Sequence, residues 1–231
     1  MKLKYLDDPI FKQDAYEALA DQFASRAEFD SFYATIAKDE DKDRSLRIAS
    51  NYLFLCKRGD WVVNVPHRSN PIISYFTNSF KLTVLCALIE SVYDDNPKWK
   101  NLVEYLLRPE NKGSFPIPGS ARLKKLSDSY NKNYGATKRL RKFLSSLPDN
   151  PRHALLAKFT INGKPATESG LASLLYQARS SFVHNAELVL VLDAKIFDLV
   201  GEKRVYSEAG IHDLMNAFEI GLVAHFSAKV A

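Results

Sequence analysis

Cysteine is nearly missing from this chain. The 231 residues contain two, Cys56 and Cys86. Both fall in apolar helical contexts and read as buried thiols rather than as a disulfide or a metal pair. A reducing, cytoplasmic setting follows from that usage. Long apolar runs are missing too. No stretch approaches the roughly 18–20 consecutive apolar residues of a membrane span, so no membrane partner is expected. The opening residues, Met1-Lys2-Leu3-Lys4-Tyr5-Leu6-Asp7-Asp8, have early acids and no apolar core, and do not read as a signal peptide. There is no glycine-rich phosphate loop, no His-Glu-x-x-His and no Cys-x-x-Cys. Asp39-Glu40-Asp41-x-Asp43 lacks the glycine and the closing glutamate of a calcium loop. His67, His153, His212 and His225 are scattered without ligand spacing, and no serine sits on a strained nucleophile elbow. The expectation is therefore no metal and no cofactor.

What is present is a globular composition, 46% hydrophobic and 12% aromatic. The formal charge of +5 is mild. Its distribution is not uniform. Arg122, Lys124, Lys125, Lys132, Lys138, Arg139, Arg141 and Lys142 lie close together with Tyr130 and Tyr134 among them and Asp128 the only acid. Such a cluster is either an electrostatic footprint for phosphate or a solvated surface between helices.

Apolar periodicity predicts an all-α bundle. Asp8-Pro9 starts a first helix through Phe23, and Phe29 to Ile36 continue it. Lys38 to Arg44 reads as a charge-mixed loop. Residues 45–57 read as a helix with Leu46, Ile48, Leu53, Phe54 and Cys56 inward and Gly59 as a C-cap. Trp61–Val65 is a short extended segment. From Asn70-Pro71 to about Asp94 the helix is apolar almost all round, which belongs at the centre of a bundle. Glu90 is its one internal acid. Further helices are expected from Pro97 to Arg108, over 120–146 and from Asn150-Pro151 through Phe159, with a Pro/Gly loop at 109–119 and a tight turn at Asn162-Gly163. Val189–Leu192 and Val205–Tyr206 around Gly201 read as a small β-hairpin, and a last helix covers Ser207 to Lys229. Residues 1–68 are read as an N-terminal helical extension or lobe and 69–231 as the main helical domain, with a single domain carrying an N-terminal extension as the simplest account.

The most informative stretch is Leu174 to Asn185. Helical residues advance about 100° each, so Leu171, Leu175, Ala178, Phe182 and Val183 share one apolar arc with Arg179 in its middle. A permanent cation there needs an anion or an interface. Tyr176, Ser180 and His184 occupy the neighbouring stripe at i, i+4 and i+8. Glu90 and Arg179 are expected to meet, within the chain or across a dimer.

Arg179-Ser180-Ser181-Phe182-Val183-His184 resembles the Arg-x4-His motif of HEPN domains, and the string from Leu174 to Asn185 is most similar to the Apea-like branch of that superfamily. The helix Asn78–Tyr93 resembles the acid-bearing helix of the family. The resemblance implies a HEPN-like helical bundle. It also implies a metal-independent endoribonuclease acting as a homodimer, with RNA as substrate, a role in phage defence or a toxin–antitoxin system, and an antitoxin or regulatory partner. Arg179 and His184 would be catalytic, Glu90, Tyr176 and Ser180 supporting, and Lys124, Lys125, Lys138, Arg139, Arg141 and Lys142 would hold RNA. One position departs from the family pattern: active members often carry Asn or Asp after the arginine, where this chain has Ser180. Two rival readings stand beside the enzyme. One is a non-catalytic RNA- or nucleotide-binding module; the other is a structural helical adaptor in which Arg179 and Glu90 form a buried registry pair.

The chemistry of the residue types fits RNA cleavage. Histidine as a class exchanges protons near neutrality, and an arginine fork stays charged and grips phosphoryl oxygens. His184 is the one strong histidine candidate in the chain, so either a two-fold dimer supplies two copies or His184 acts as base while water or Arg179 assists the leaving group.

Overall fold

The computed structural model describes residues 4–59, 71–93, 102–106, 108–114, 116, 119–193 and 195–228. Helix α1 (Pro9–Leu19) starts where Asp8-Pro9 predicts, the Asp8 carboxylate accepting the Ile10 N–H at 3.0 Å. After a 3-10 turn at Ala20–Gln22, α2 (Arg26–Thr35) is capped by Ser25, whose hydroxyl accepts the Glu28 N–H. The segment expected as a charged loop is helical: α3 (Asp39–Tyr52) begins at its acids. Asp39, Glu40 and Asp41 sit in the first turn, where carboxylates are stabilised by the unpaired amides and the helix dipole.

Leu53–Lys57 form a π turn at the end of α3. The extra residue in the turn shifts the side-chain register. Leu53 and Cys56 stay buried, but Phe54, expected inward, is 50% exposed. Trp61–Val65 lie outside the described residues.

Helix α4 (Pro71–Val92) is central in its second half, where Leu82, Leu85, Cys86, Ile89 and Val92 are buried. Its first half is not apolar-buried all round, and Phe76 is left 43% exposed. Within the segment expected as a helix from Pro97, the described helix is α5 (Leu102–Leu106), and a 3-10 turn comes next at Pro109–Ser114. The predicted helical stretch over 120–146 divides at Gly135 into α6 (Ser120–Tyr134) and α7 (Ala136–Ser146). Helix α8 (Asp149–Ala157) ends short of Phe159, which starts a strand.

The chain is mostly helical, with a four-stranded antiparallel sheet that an all-α reading does not contain. Strands β1 (Phe159–Ile161) and β2 (Lys164–Pro165) form a hairpin whose turn residues Asn162 and Gly163 have φ of 51° and 76°. Helix α9 (Glu168–Asn185) comes next, then β3 (Ile196–Val200), β4 (Lys203–Ser207) and α10 (Ile211–Ser227). The order is β2-β1-β4-β3. Val189–Leu192, expected as a strand, is irregular. The Asn78 side chain donates to the Val191 and Leu192 carbonyls at 3.0 and 3.1 Å, and Leu192 O also accepts the Ile211 N–H. Those carbonyls are thereby taken out of any ladder.

One apolar core runs from Ala15 of α1 to Phe226 of α10. Described residues of the N-terminal part, from Ala15 to Cys56, thus contribute to the same core. A buried clamp reinforces this. Glu219 of α10 accepts from the Tyr52 hydroxyl at 2.7 Å and from the Gln22 amide at 3.1 Å, and Lys57 Nζ lies 3.2 Å away. Among the described residues, no helix is long and apolar enough to cross a membrane, and no three metal-ligating side chains gather.

Candidate functional site

The motif helix α9 spans the residues its pattern predicts. Thr167 caps its start, accepting the Gly170 N–H at 3.1 Å. Leu171, Leu175 and Ala178 are buried, so the apolar arc forms. Val183, at its end, is 49% exposed. The helix stops in a left-handed residue, Ala186 (φ 56°), whose N–H bonds Phe182 O while the Glu187 N–H reaches back to Ser181 O. This termination leaves His184 in a last turn that is open to solvent.

Arg179 is half-buried, with its guanidinium carbon 6.0 Å from the centre of the Tyr176 ring. Its Nε is shielded from solvent and has no hydrogen-bond partner; the same is true of Glu90 Oε1. Both charges act on one thiol. Burial pushes Cys86 up to about 12, Glu90 adding to the rise and Arg179 opposing it. The ion pair expected within the chain does not form among the described residues, although α4 and α9 pack together. The two groups share a neighbourhood without sharing a hydrogen bond. Ser180 and Tyr176 are half-buried beside Arg179 and complete the stripe that ends at His184.

The basic residues divide between two helices. Lys138, Arg141 and Lys142 are exposed on α7, which packs directly on α9, and Arg139 is half-buried there. Lys142 Nζ lies 4.4 Å from the centre of the Tyr93 ring, at the end of α4. Lys124 and Lys125 are exposed on α6, which packs on α7 and α5. Lys125 with Arg122, Tyr105, Asn111 and Ser129 lines a separate concavity of about 620 Å³. The side chains of Lys132 and Tyr134 lie outside the described residues.

A void lined by Leu175, Cys86, Leu140 and Phe143 measures about 20 Å³ and is apolar, too small for a ligand. Sequence reasoning missed two parts of the surroundings. One is Asn78, a buried amide in the first half of α4, which straps the chain after α9. The other is Phe76, in edge contact with Phe182 at 5.6 Å and 43% exposed beside the motif. The polar run Thr77-Asn78-Ser79 inside α4 is the signal that could have found the first.

Comparison with known proteins gives no match: no family model fits the chain, and no curated protein or solved structure matches it.

Proposed function

We propose that the chain is a metal-independent endoribonuclease of HEPN type, working as a homodimer with Arg179 and His184 of both protomers in one cleft. The observation that supports this best is Arg179. A half-buried guanidinium without a carboxylate on it among the described residues is an unneutralised charge held at a helix face. Such a group is poorly placed for stability and well placed for a phosphate. His184 lies on the same helix, five residues on and exposed.

In this reading an imidazole takes the proton of the ribose 2′-hydroxyl, and the 2′-oxygen attacks the neighbouring phosphorus. The bond from phosphorus to the 5′-oxygen breaks. The 5′-oxygen takes a proton from the second imidazole of the dimer or from water. The products are a 2′,3′-cyclic phosphate and a 5′-hydroxyl. Arg179 neutralises the charge that builds on the phosphoryl oxygens. Tyr176 packs under the guanidinium, Ser180 lines the cleft, and Glu90 adds a negative field behind it. Exposed Lys138, Arg141 and Lys142 on the adjoining helix extend the positive surface along the strand, with Arg139 beside them and Lys124 and Lys125 further out. The setting proposed is cytoplasmic defence or a toxin–antitoxin system, with a protein partner that restrains the nuclease.

The test is cleavage of a labelled RNA in EDTA by pure protein and by His184→Ala. The substitution is at an exposed position, so it is expected to leave the melting temperature unchanged and to abolish cleavage. Undiminished cleavage by this variant rejects the mechanism. Ser180 supports one second reading, a binding module without activity. RNA binding with a steep salt dependence and no cleavage by the wild type selects it.

A further inference from the structure

The sheet carries an open aromatic face that the motif helix does not use. Along β3 and β4 the side chains alternate. Val200, Val205 and Ser207 are buried, while Phe197 and Leu199 stand 81% and 63% exposed. Register places Thr160, Tyr206 and Phe197 abreast, and Leu199 beside Arg204, all on the outer face. The Phe197 and Tyr206 rings lie 4.7 Å apart at 41°. Together with Arg204, Thr160 and Asn162 they border a concavity of about 470 Å³, within the roughly 300–1,000 Å³ of small-ligand sites.

Nothing in the fold calls for an exposed phenylalanine in the middle of an edge strand, where such residues invite unwanted pairing. The polar groups around it point to one class of occupant. The Arg204 side chain bonds no carboxylate among the described residues. The Asn162 carbonyl is occupied by the Arg204 N–H at 2.8 Å, which turns the amide end of that side chain outward as a donor. The Tyr206 hydroxyl donates to Glu208 at 2.9 Å, which holds the ring and puts a negative charge at that end of the face. The geometry points to a stacking platform for single-stranded RNA: one base on Phe197 against Tyr206, with its phosphate on Arg204, away from Glu208. An aromatic plane and an anion at fixed spacing are what a nucleotide offers to the exposed Phe197 ring and to Arg204. The platform is carried by the motif helix. Gly201, at the β3–β4 turn (φ 61°), approaches so closely that a Cβ would meet Gln177 Nε2 at 2.0 Å, and Lys203 Nζ donates to Ser173 Oγ at 2.9 Å. The inference deepens the nuclease reading, since it takes RNA as the ligand.

The experiment measures binding of a fluorescein-labelled, 2′-O-methyl oligoadenylate of about eight nucleotides, which cannot be cut through its 2′-oxygen. Phe197→Ala and Phe197→Leu are expected to weaken it about 5- to 100-fold, and Phe197→Tyr to restore it. Arg204→Ala is expected to lower the slope of log affinity against log salt by about one. The exposure of Phe197 and unchanged melting temperatures show that folding is not the cause. Wild-type affinity in Phe197→Ala overturns the platform, and so does wild-type affinity in Phe197→Leu, since leucine preserves apolar docking but not stacking. Loss of self-association in Phe197→Ala with RNA affinity unchanged assigns the face to a second copy and equally overturns it. If the His184 variant still cuts while these binding losses appear, the nuclease mechanism falls and the platform stands.

Discussion

A double-mutant cycle on Arg179 and Glu90 separates a poised charge from a structural ion pair. The single substitutions are Arg179→Met, which keeps the aliphatic stem, and Glu90→Gln, which keeps the shape. In a contact pair near a protein surface, two unit charges about 4 Å apart attract by about 4 kcal/mol. Breaking a buried pair by removing one member costs about 3–5 kcal/mol. Here no ion pair joins the two among the described residues, and each has a shielded atom with no hydrogen bond. For two charges that make no contact and are screened by salt, the residual attraction is about 1 kcal/mol or less. Removing the unbonded Nε returns about 1 kcal/mol; losing the Tyr176 ring contact, at 6.0 Å, costs about 0.5–1 kcal/mol. Arg179→Met is therefore expected to lie within about 1 kcal/mol of wild type, and the coupling energy from the cycle to stay below about 1 kcal/mol. Cleavage is expected to vanish in both variants that lack Arg179. Urea unfolding at dilute protein reads the stabilities. A coupling of about 3 kcal/mol or more refutes the reasoning and favours the adaptor reading. A coupling that grows with protein concentration places the pair across the dimer.

Two further outcomes come from packing and from titration. Gly221 lies inside α10, where helix propensity alone favours alanine by about 1 kcal/mol. A Cβ there would meet Phe143 Cζ at 2.4 Å and Leu147 Cδ2 at 3.0 Å, and Phe143 is itself buried against Phe218. Overpacking of about 1–3 kcal/mol makes Gly221→Ala destabilising on balance, with a fall of about 2–4 °C in melting temperature per kcal/mol; a rise in melting temperature contradicts this. Burial pushes Cys56 and Cys86 up to about 12 from an ordinary 9.0, and burial with the Glu219 contact raises Tyr52 as well. A raised pKa means the folded state holds protons that the unfolded chain has released. The stabilisation is whole below about pH 9 and is lost as pH climbs toward 12, at about 1.4 kcal/mol per pH unit for each thiol at most. Thermal melts from neutral pH upward are expected to fall steeply above pH 9 and to fall less in Cys56→Ala. A flat profile rejects the assignment.

The legible parts of the fold are those governed by local rules. Asp8-Pro9, Asn162-Gly163 and the run Glu168–Asn185 each state their geometry within a few residues, and the structure obeys them. Sequence reasoning fails where a non-local partner decides. Asp39 to Arg44 looks like a loop by charge; it is a helix start because acids suit that end and because Leu46 and Ile48 anchor the later turns of α3 in the core. Phe54 is misplaced by an unbroken 3.6-residue period carried across a π turn. Val189–Leu192 has strand composition, yet Asn78, more than a hundred residues earlier, takes its carbonyls. The two-residue β2 and the pairing of β1 with β4 across 159–207 leave almost no periodic signal to read.

The site divides along the same line. That α9 holds Arg179, His184, Tyr176 and Ser180 on adjoining stripes is a consequence of helical spacing alone. Whether Arg179 finds Glu90 depends on how α4 and α9 cross, which no spacing contains. To expect a cation on an apolar arc to be paired within the fold is to assume that stability governs every buried charge. Under the proposed function Arg179 is kept for its charge and violates that assumption. Arg179 retains a shielded, unbonded Nε on a helix whose neighbouring turns are fully packed by Leu171, Leu174 and Leu175. Local consistency fails at Arg179 as it does at Glu90; under the proposed function a phosphate of the RNA supplies the partner that the chain withholds from Arg179.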